Sequence, residues 1–315
     1  MRLDFRLTIC ALLTAMSMYQ AAWSQQLAFN KVDKGDSYTF QYQWLDVAKQ
    51  PQSLSFTLSK KALFSPFRHF RAYNPELAAK YVQKHVRKSL KKSPLDNVSV
   101  RVDPRTQEVM LRSNNRDALL TASAEVNKRE TEYFQQYLEQ QFYHQFTTYN
   151  DYSGIKPDHV RIALESVEIL DPTKPAILEK TNVKNVRRVT NYVLNFVQSI
   201  PYSTLESRLT SSGAGFNVPT KVLWENQGDC DSKMTLTASL LRRLMPRIKL
   251  MMVYIDQHAF IGIDILPEPN DVVVEQDGRS FVLADPTGPK LLKLGELPFD
   301  SEQAIYSGHY TGEVF

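Results

Sequence analysis

The sequence has very little cysteine: two residues, Cys10 and Cys230, in a chain of 315. No two cysteines stand at metal-binding spacing, and the six histidines are scattered without an H-E-x-x-H pattern. A metal site, zinc in particular, is therefore not expected. The chain also lacks the G-x-S-x-G elbow of one class of serine hydrolases and the glycine fingerprint of nucleotide-binding proteins. No cofactor is expected from any of these patterns.

Excess charge and long apolar runs are lacking as well. The formal net charge of +4 is small for this length, so nucleic-acid binding has no global electrostatic support. Beyond the N-terminus, no stretch approaches the roughly 20 apolar residues that span a bilayer. There is no internal repeat. A hydrophobic fraction of 43% and a charged fraction of 23% are typical of a globular protein.

The N-terminus has the pattern of a secretory signal peptide. Arg2 and Arg6 lie in its first residues, and an uncharged, mostly apolar run over 7–18 follows. The small residues Ala21 and Ala22 then precede Ser24. We expect cleavage near Ser24 and a mature protein that is periplasmic or secreted, with no stable membrane span. An uncleaved anchor is the alternative, although the run is short for a span. Loss of residues 1–24 removes Cys10, so Cys230 would be the one thiol of the mature chain.

Residues 25–172 are predicted to form an N-terminal α+β region of unknown role. Asn74 followed by Pro75 is a typical helix start, because Asn caps the helix and Pro fits its first position. The patterns predict strands over 37–46, 53–59 and 160–170, a hairpin over 98–112, and helices from 75 and over 116–147. The sharp break at 171–175 indicates a domain boundary.

Residues 173–315 are predicted to form a second domain. A helix over 183–197 should end before Ile200-Pro201, because proline stops helices. The remaining patterns predict a loop over 211–215, a helix over 231–245, and strands over 250–265 and 280–284.

A run of basic residues lies in the helix that begins at Pro75. It comprises Lys80, Lys84, Arg87, Lys88, Lys91 and Lys92. A solvated helix face is the simpler interpretation of this run. A docking surface for an anionic polymer of the cell envelope is the alternative.

Cys230 follows Gly228-Asp229 and stands at or within the first turn of a predicted helix. That position favours the thiolate, because the N-terminal end of a helix carries partial positive charge and unpaired N–H groups. The same N–H groups could stabilise an oxyanion. Asp229 and Asp231 can equally serve as ordinary helix-start residues. A buried structural cysteine is the alternative interpretation of Cys230.

His258 and Asp285 could complete a site around this thiol. Alternation in the strand predicted over 252–264 places His258 on the less aliphatic face, where it could act as general base and acid. Asp285 leaves a strand before Pro286, which is also typical of a plain turn. Beside a histidine, its carboxylate would fix the tautomer and stabilise the imidazolium.

Three motifs in this order, GDCDSK around Cys230, QHAFIGI around His258 and LADPTG around Asp285, resemble the transglutaminase-like superfamily. Ile200-Pro201-Tyr202 also resembles the lead-in to its catalytic segment, and the resemblance covers about 176–300. It implies a papain-related α+β core, in which the helix bearing the cysteine packs on an antiparallel sheet. It further implies that Cys230 is the nucleophile, His258 the general base and then acid, and Asp285 the orienting carboxylate.

The second oxyanion donor is not fixed by the resemblance. Trp224, Asn226 and Gln227 are candidates, and each can also be a loop or core residue. The chain lacks the flanking β-sandwich patterns and the acidic calcium cluster of animal transglutaminases. These absences count against crosslinking. Hydrolysis is favoured because crosslinking requires a site that excludes water from the thioester, and no residue in the sequence indicates one.

The function predicted from the sequence is an exported cysteine acyl-transfer enzyme that acts on amide bonds of a peptide or protein in the cell envelope. A non-catalytic envelope binding protein with the same fold is the alternative. A further possibility is that the N-terminal region is the main working part. The sequence does not determine the substrate or the oligomeric state.

Overall fold

A computed structural model describes residues 25–103, 105–106, 108–181, 185–207 and 215–315. The predicted signal peptide, 1–24, and all but the last residue of the loop predicted over 211–215 lie outside the described residues. Within the described ranges, no helix is both long and apolar enough to cross a membrane.

The chain begins with a three-stranded antiparallel sheet in the order β1-β2-β3. Its strands are β1 (Gln26–Asp33), β2 (Ser37–Leu45) and β3 (Pro51–Ser59). The two strands predicted here, over 37–46 and 53–59, are confirmed. Strict alternation buries Phe40, Tyr42 and Trp44 on one face of β2.

The next part of the N-terminal region contains two long helices. After α1 (Lys60–Phe64), it contains α2 (Pro75–Lys92), β4 (Ser99–Val102), β5 (Val109–Arg112) and α3 (Arg116–Gln140). The predicted cap is confirmed, since the Asn74 side chain accepts a hydrogen bond from the Leu77 N–H at 3.1 Å. Val86 and Leu90 of α2 are buried in one apolar cluster with Val126 of α3.

Two predictions in this half are wrong. The helix predicted to reach residue 147 ends at Gln140, and the chain reverses at Phe142 with φ of +59°. It then forms a hairpin of β6 (Tyr143–Thr147) and β7 (Ser153–Pro157). The strand predicted over 160–170 is instead helix α4 (His159–Ser166), whose start is capped by the Asp158 side chain.

Among the described residues, the second half contains four helices followed by a five-stranded sheet in the order β10-β11-β9-β8-β12, with every neighbouring pair antiparallel and a fifth helix before the last strand. The helices are α5 (Thr173–Lys180), α6 (Val186–Ser199), α7 (Pro219–Glu225) and α8 (Cys230–Leu244). The rest is β8 (Leu250–Ile255), β9 (His258–Asp264), β10 (Val273–Gln276), β11 (Arg279–Ala284), α9 (Phe299–Tyr306) and β12 (Thr311–Val314). Helices α6 and α8 and strand β11 confirm the predictions.

The single strand predicted over 250–265 is a hairpin instead. β8 and β9 pair with each other, and the chain turns at Asp256-Gln257, where Gln257 has φ of +59°. The turn changes which residues share a face: Val253 packs in one cluster with Phe260, not with the aliphatic residues of β9 as predicted. His258 becomes the first residue of β9.

The main hydrophobic core joins both halves of the chain. Tyr42 and Trp44 of β2 pack on Phe196 of α6, with ring centroids 4.8 and 5.5 Å away. The Tyr42 hydroxyl donates a hydrogen bond to the backbone carbonyl of Leu223 at 3.1 Å. The fold is therefore α+β with antiparallel sheets, as predicted. The division between residues 172 and 173 stays a prediction, and the core is continuous across it.

Candidate active site

Cys230 is the first residue of α8. The Asp229 side chain caps the helix by accepting a hydrogen bond from the Ser232 N–H at 3.0 Å. Before the cap, Gly228 is held against the Pro201–Ser203 segment by two backbone hydrogen bonds of 3.2 and 3.1 Å. Because these contacts fix the backbone immediately before Cys230, they determine the position of its thiol.

The surroundings of Cys230 favour the neutral thiol. Its Sγ lies 3.7 Å from Oδ1 of Asp231, and burial together with the charges of Asp231 and Asp229 raises the pKa of Cys230 well above its usual range. These surroundings act against the expectation that the helix start favours the thiolate, because burial and the two carboxylates raise the pKa while the partial positive charge of the helix terminus would lower it. Attack by this sulfur requires a base.

His258 and Asp285 form the base and its partner. His258 Nε2 lies 3.0 Å from Oδ2 of the buried Asp285. An ionised carboxylate can only accept hydrogen bonds, so Nε2 carries the proton and Nδ1 is left with a free lone pair. The other carboxylate oxygen, Oδ1, accepts a hydrogen bond from the Thr287 N–H at 2.8 Å. Both oxygens of Asp285 are thus engaged.

The backbone around Asp285 is also fixed. Its carbonyl accepts a hydrogen bond of 2.7 Å from Nε2 of Gln198, a fully buried residue of α6 that also bonds to the backbone of Leu292. Gly288 has φ of +66° and lies so close to the Gln198 carbonyl that a Cβ could not fit there. Contacts with α6, as well as the preceding strand β11, therefore fix the position of Asp285 beside His258.

Cys230 and His258 line one cleft of about 350 Å³. One wall comes from α8 and from the β8–β9 turn. The opposite wall comes from the β6–β7 hairpin of the N-terminal region, through Phe146, Thr148, Tyr149 and Lys156. The sequence reasoning missed this wall, because residues up to 147 were predicted to continue a helix. The polar, glycine-containing segment 150–154 was the signal that could have revealed the turn.

A polar network lies beneath the cleft. His159 is buried, with Nδ1 at 3.1 Å from the Tyr254 hydroxyl and Nε2 at 3.9 Å from Oδ2 of Asp231. Burial lowers the pKa of His159 well below its ordinary value, so this ring is neutral. Lys156 is paired with Glu313 at 3.0 Å, and burial lowers its pKa as well. These buried and half-buried polar groups lie next to Asp231, the residue beside the sulfur.

The three residues predicted as oxyanion donors do not line this cleft. Trp224 packs edge-on against Tyr38 and Phe64. Asn226 exchanges two hydrogen bonds with Gln26, of 3.0 and 2.7 Å.

Gln227 Nε2 donates to Oε2 of Glu225 at 3.2 Å. The oxyanion role of Trp224, Asn226 and Gln227 stays a prediction. Cys230 and the residue after it provide backbone N–H groups at the start of α8, which have no intrahelical acceptor.

Lys233 connects the elements that carry the site. Its side chain is fully buried, and Nζ donates hydrogen bonds to the backbone carbonyls of Ile200 and Thr287, the latter at 2.5 Å. It therefore ties α8 to the segment after α6 and to the turn after Asp285. Burial lowers the pKa of Lys233 to about 7, against the opposing charges of Asp285 and Asp229. The sequence reasoning gave Lys233 no role of its own.

Lys233 is expected to give the protein a pH-dependent stability. Below about pH 7 this lysine is charged in both states, and the folded state bears the full cost of burying the charge. From about pH 7 to its ordinary pKa of 10.5, the folded lysine is neutral while the unfolded one is still charged. The free energy of unfolding of the natural chain should then rise relative to Lys233→Met, by about 1.4 kcal/mol per pH unit. Urea denaturation at about pH 7 and about pH 9 measures the difference.

The exposed Lys293 supplies the matched control for this measurement, since Lys293→Met should leave the pH dependence unchanged. Parallel pH dependences for the natural chain and Lys233→Met would show that the buried lysine keeps its proton, and would contradict the prediction.

Within the described ranges, no group of three or more His, Cys, Asp or Glu side chains is arranged to hold a metal ion. Comparison of the chain with protein-family models, with curated proteins and with solved structures finds no match.

Proposed function

We propose that this protein is an exported cysteine acyl-transfer enzyme of the transglutaminase-like kind, which hydrolyses amide bonds in a peptide or protein of the cell envelope. The observation that carries the proposal is the 3.0 Å pairing of His258 with Asp285 beside the cleft that also exposes Cys230. A helix that begins with the cysteine and packs on β9, the strand that begins with the histidine, supports a papain-related core.

The reaction would begin with proton transfer from Sγ of Cys230 to Nδ1 of His258 as the sulfur attacks the amide carbon. Asp285 stabilises the imidazolium that forms. His258 then protonates the departing amine, the C–N bond breaks, and a thioester to Cys230 remains. A water molecule, deprotonated by His258, attacks the thioester, and the carboxylic acid and the free thiol are released.

Hydrolysis is favoured over transfer to an amine because the rim of the cleft is open to water. Asp256 and Gln257 on one side and Tyr149 on the other are exposed. Crosslinking requires a site that keeps water from the thioester, and the polar, exposed rim offers no such barrier. The substrate is a peptide in extended form, since such a chain can lie between the two walls.

A single experiment tests the reaction type. Purified protein is incubated with extracted envelope proteins and a biotin-labelled primary amine, and the products are analysed by mass spectrometry. New N-termini without incorporated amine are expected. Incorporated amine without new N-termini would indicate a transferase. Neither product, together with retained binding to envelope proteins, would favour the non-catalytic binding protein.

A further inference from the structure

One face of α2 carries a stripe of positive charge, named here the α2 basic stripe. At about 100° per residue, its five members fall within an arc of about 100° on the helix surface. The four lysines of the stripe are exposed. The members are Lys80, Lys84, Arg87, Lys88 and Lys91.

Helix stability does not account for this stripe. The one acidic residue of α2 is Glu76, in its first turn. Among the described residues, no carboxylate lies within ion-pair distance of the four lysines. Lys80, Lys84 and Lys88 follow one another at i,i+4, and like charges at that spacing cost a few tenths of a kcal/mol per pair.

The charge is concentrated in one segment of the chain. Residues 75–116 contain ten Lys and Arg against four Asp and Glu, a net charge of +6, whereas the whole chain carries +4. The rest of the molecule is therefore slightly acidic. A local concentration of positive charge attracts and orients an anionic partner even when the net charge of the whole chain is small.

A groove runs along the stripe, between α2 and strand β4, with a volume of about 530 Å³. Four cations border it, and its floor is aliphatic. The lining residues are Lys84, Arg87, Lys88, Leu90, Lys91, Val100 and Val102. The concave shape suits an extended chain lying along the helix better than it suits a flat surface.

The surroundings of the groove argue against a membrane and against nucleic acid. An amphipathic helix binds a bilayer through its apolar face, but Val86 and Leu90 of α2 are buried in a cluster with Val126. Single-stranded nucleic acids are held by stacking of their bases on aromatic side chains. The groove is lined by none.

We propose that the α2 basic stripe and its groove bind a linear polyanion other than nucleic acid, such as an anionic polymer of the cell envelope. Lysines four residues apart on a helix repeat every 6 Å or so, which matches a chain with one negative group per repeating unit. Binding here would hold the protein on the polymer and leave the cleft free. This second site does not depend on the reactivity of Cys230.

The test uses the full chain and fluorescently labelled inorganic polyphosphate, with binding measured by fluorescence anisotropy at several salt concentrations. Saturable binding at about 150 mM salt is expected, weakening linearly on a log–log plot as salt rises. The variant with Lys84→Gln, Lys88→Gln and Lys91→Gln should bind at least about tenfold more weakly, and its salt slope should be smaller by about 2.

A matched control carries the same change of net charge elsewhere, through Lys61→Gln, Lys290→Gln and Lys293→Gln, all at exposed positions. Its affinity for polyphosphate should stay within about twofold of the natural chain. The melting temperature of the stripe variant should not fall, because the substitutions remove repulsion along α2. A loss of binding without unfolding then reports on the stripe itself.

Several outcomes would overturn this proposal. An equal loss of affinity for polyphosphate in both variants would show that binding depends on net charge alone and not on the stripe. Tighter binding to phosphatidylglycerol vesicles, or to a single-stranded DNA oligonucleotide, would assign the surface to a membrane or to nucleic acid. The absence of any binding to polyphosphate at about 150 mM salt would leave the stripe a solvated helix face.

Discussion

Replacement of Cys230 by alanine is expected to lower the rate of amide cleavage by about 10⁴- to 10⁶-fold, the scale on which loss of a covalent nucleophile acts. The residual rate would come from substrate binding and from direct attack by water, which His258 can still deprotonate but which forms no covalent intermediate. The rate at which new N-termini appear, counted with the natural chain and the variant on the same envelope proteins, measures the effect.

The fold of this variant should be intact, because Cys230 is half-buried and its Sγ makes one weak contact, to Asp231. A melting temperature within a few degrees of that of the natural chain is the control. Alkylation with iodoacetamide should label the peptide that contains Cys230 in the natural chain and leave the corresponding peptide of the variant unlabelled. Full biological function in Cys230→Ala would refute the proposed enzyme and favour the binding protein.

Asp285→Asn is expected to lower the rate of cleavage by about 10³- to 10⁴-fold without unfolding the protein. In the natural chain, Oδ1 of Asp285 accepts from the Thr287 N–H while Oδ2 accepts from His258. Asparagine has a single acceptor oxygen. If that oxygen keeps the Thr287 bond, the NH₂ group faces Nε2 and selects the tautomer with its proton on Nδ1. His258 then cannot take the proton of the thiol.

The thiol of Cys230 makes this substitution more damaging than it would be beside a preformed thiolate. Burial and the charges of Asp231 and Asp229 raise the pKa of Cys230, so each turnover must begin with proton transfer to His258. Asp277→Asn, at an exposed turn with φ of +53°, is the matched control and should keep full activity. Nearly full activity in Asp285→Asn would show that the carboxylate is not needed, and would contradict this mechanism.

The sequence predicted best those elements whose cause is local. The start of α2 was evident from Asn74-Pro75 because an N-cap acts within one turn. The start of α8 was evident from Gly228-Asp229 for the same reason. The strands β2 and β3 were evident from strict alternation, since one face packs on the core and the other meets solvent.

The wrong predictions lie in segments whose secondary structure is determined by tertiary contacts. The apolar i+4 spacing of α3 continues through Phe142 and Phe146, but the chain reverses at Phe142 and pairs two short strands. The apolar run after Asp158 fits a strand or a helix equally well from its pattern. The β8–β9 turn at Asp256-Gln257 lacks the glycine or asparagine that usually marks a reversal.

The same distinction applies to the candidate site. Cys230, His258 and Asp285 could be identified because each stands at the end of a recognisable element, and the structure brings His258 and Asp285 into contact. The β6–β7 wall, the network around His159 and the two carbonyls bound by Lys233 depend on segments far apart in the chain. No local pattern encodes those contacts.

Continuity of the core across the two halves has a consequence for when the site can form. An unfolded chain has neither the β6–β7 wall nor the pairing of His258 with Asp285. β12 (Thr311–Val314), which completes the sheet beside β8, follows all of these in the chain. The cleft and the histidine–carboxylate pair therefore exist only after folding, so any reactivity of Cys230 that depends on them is delayed until the chain has folded.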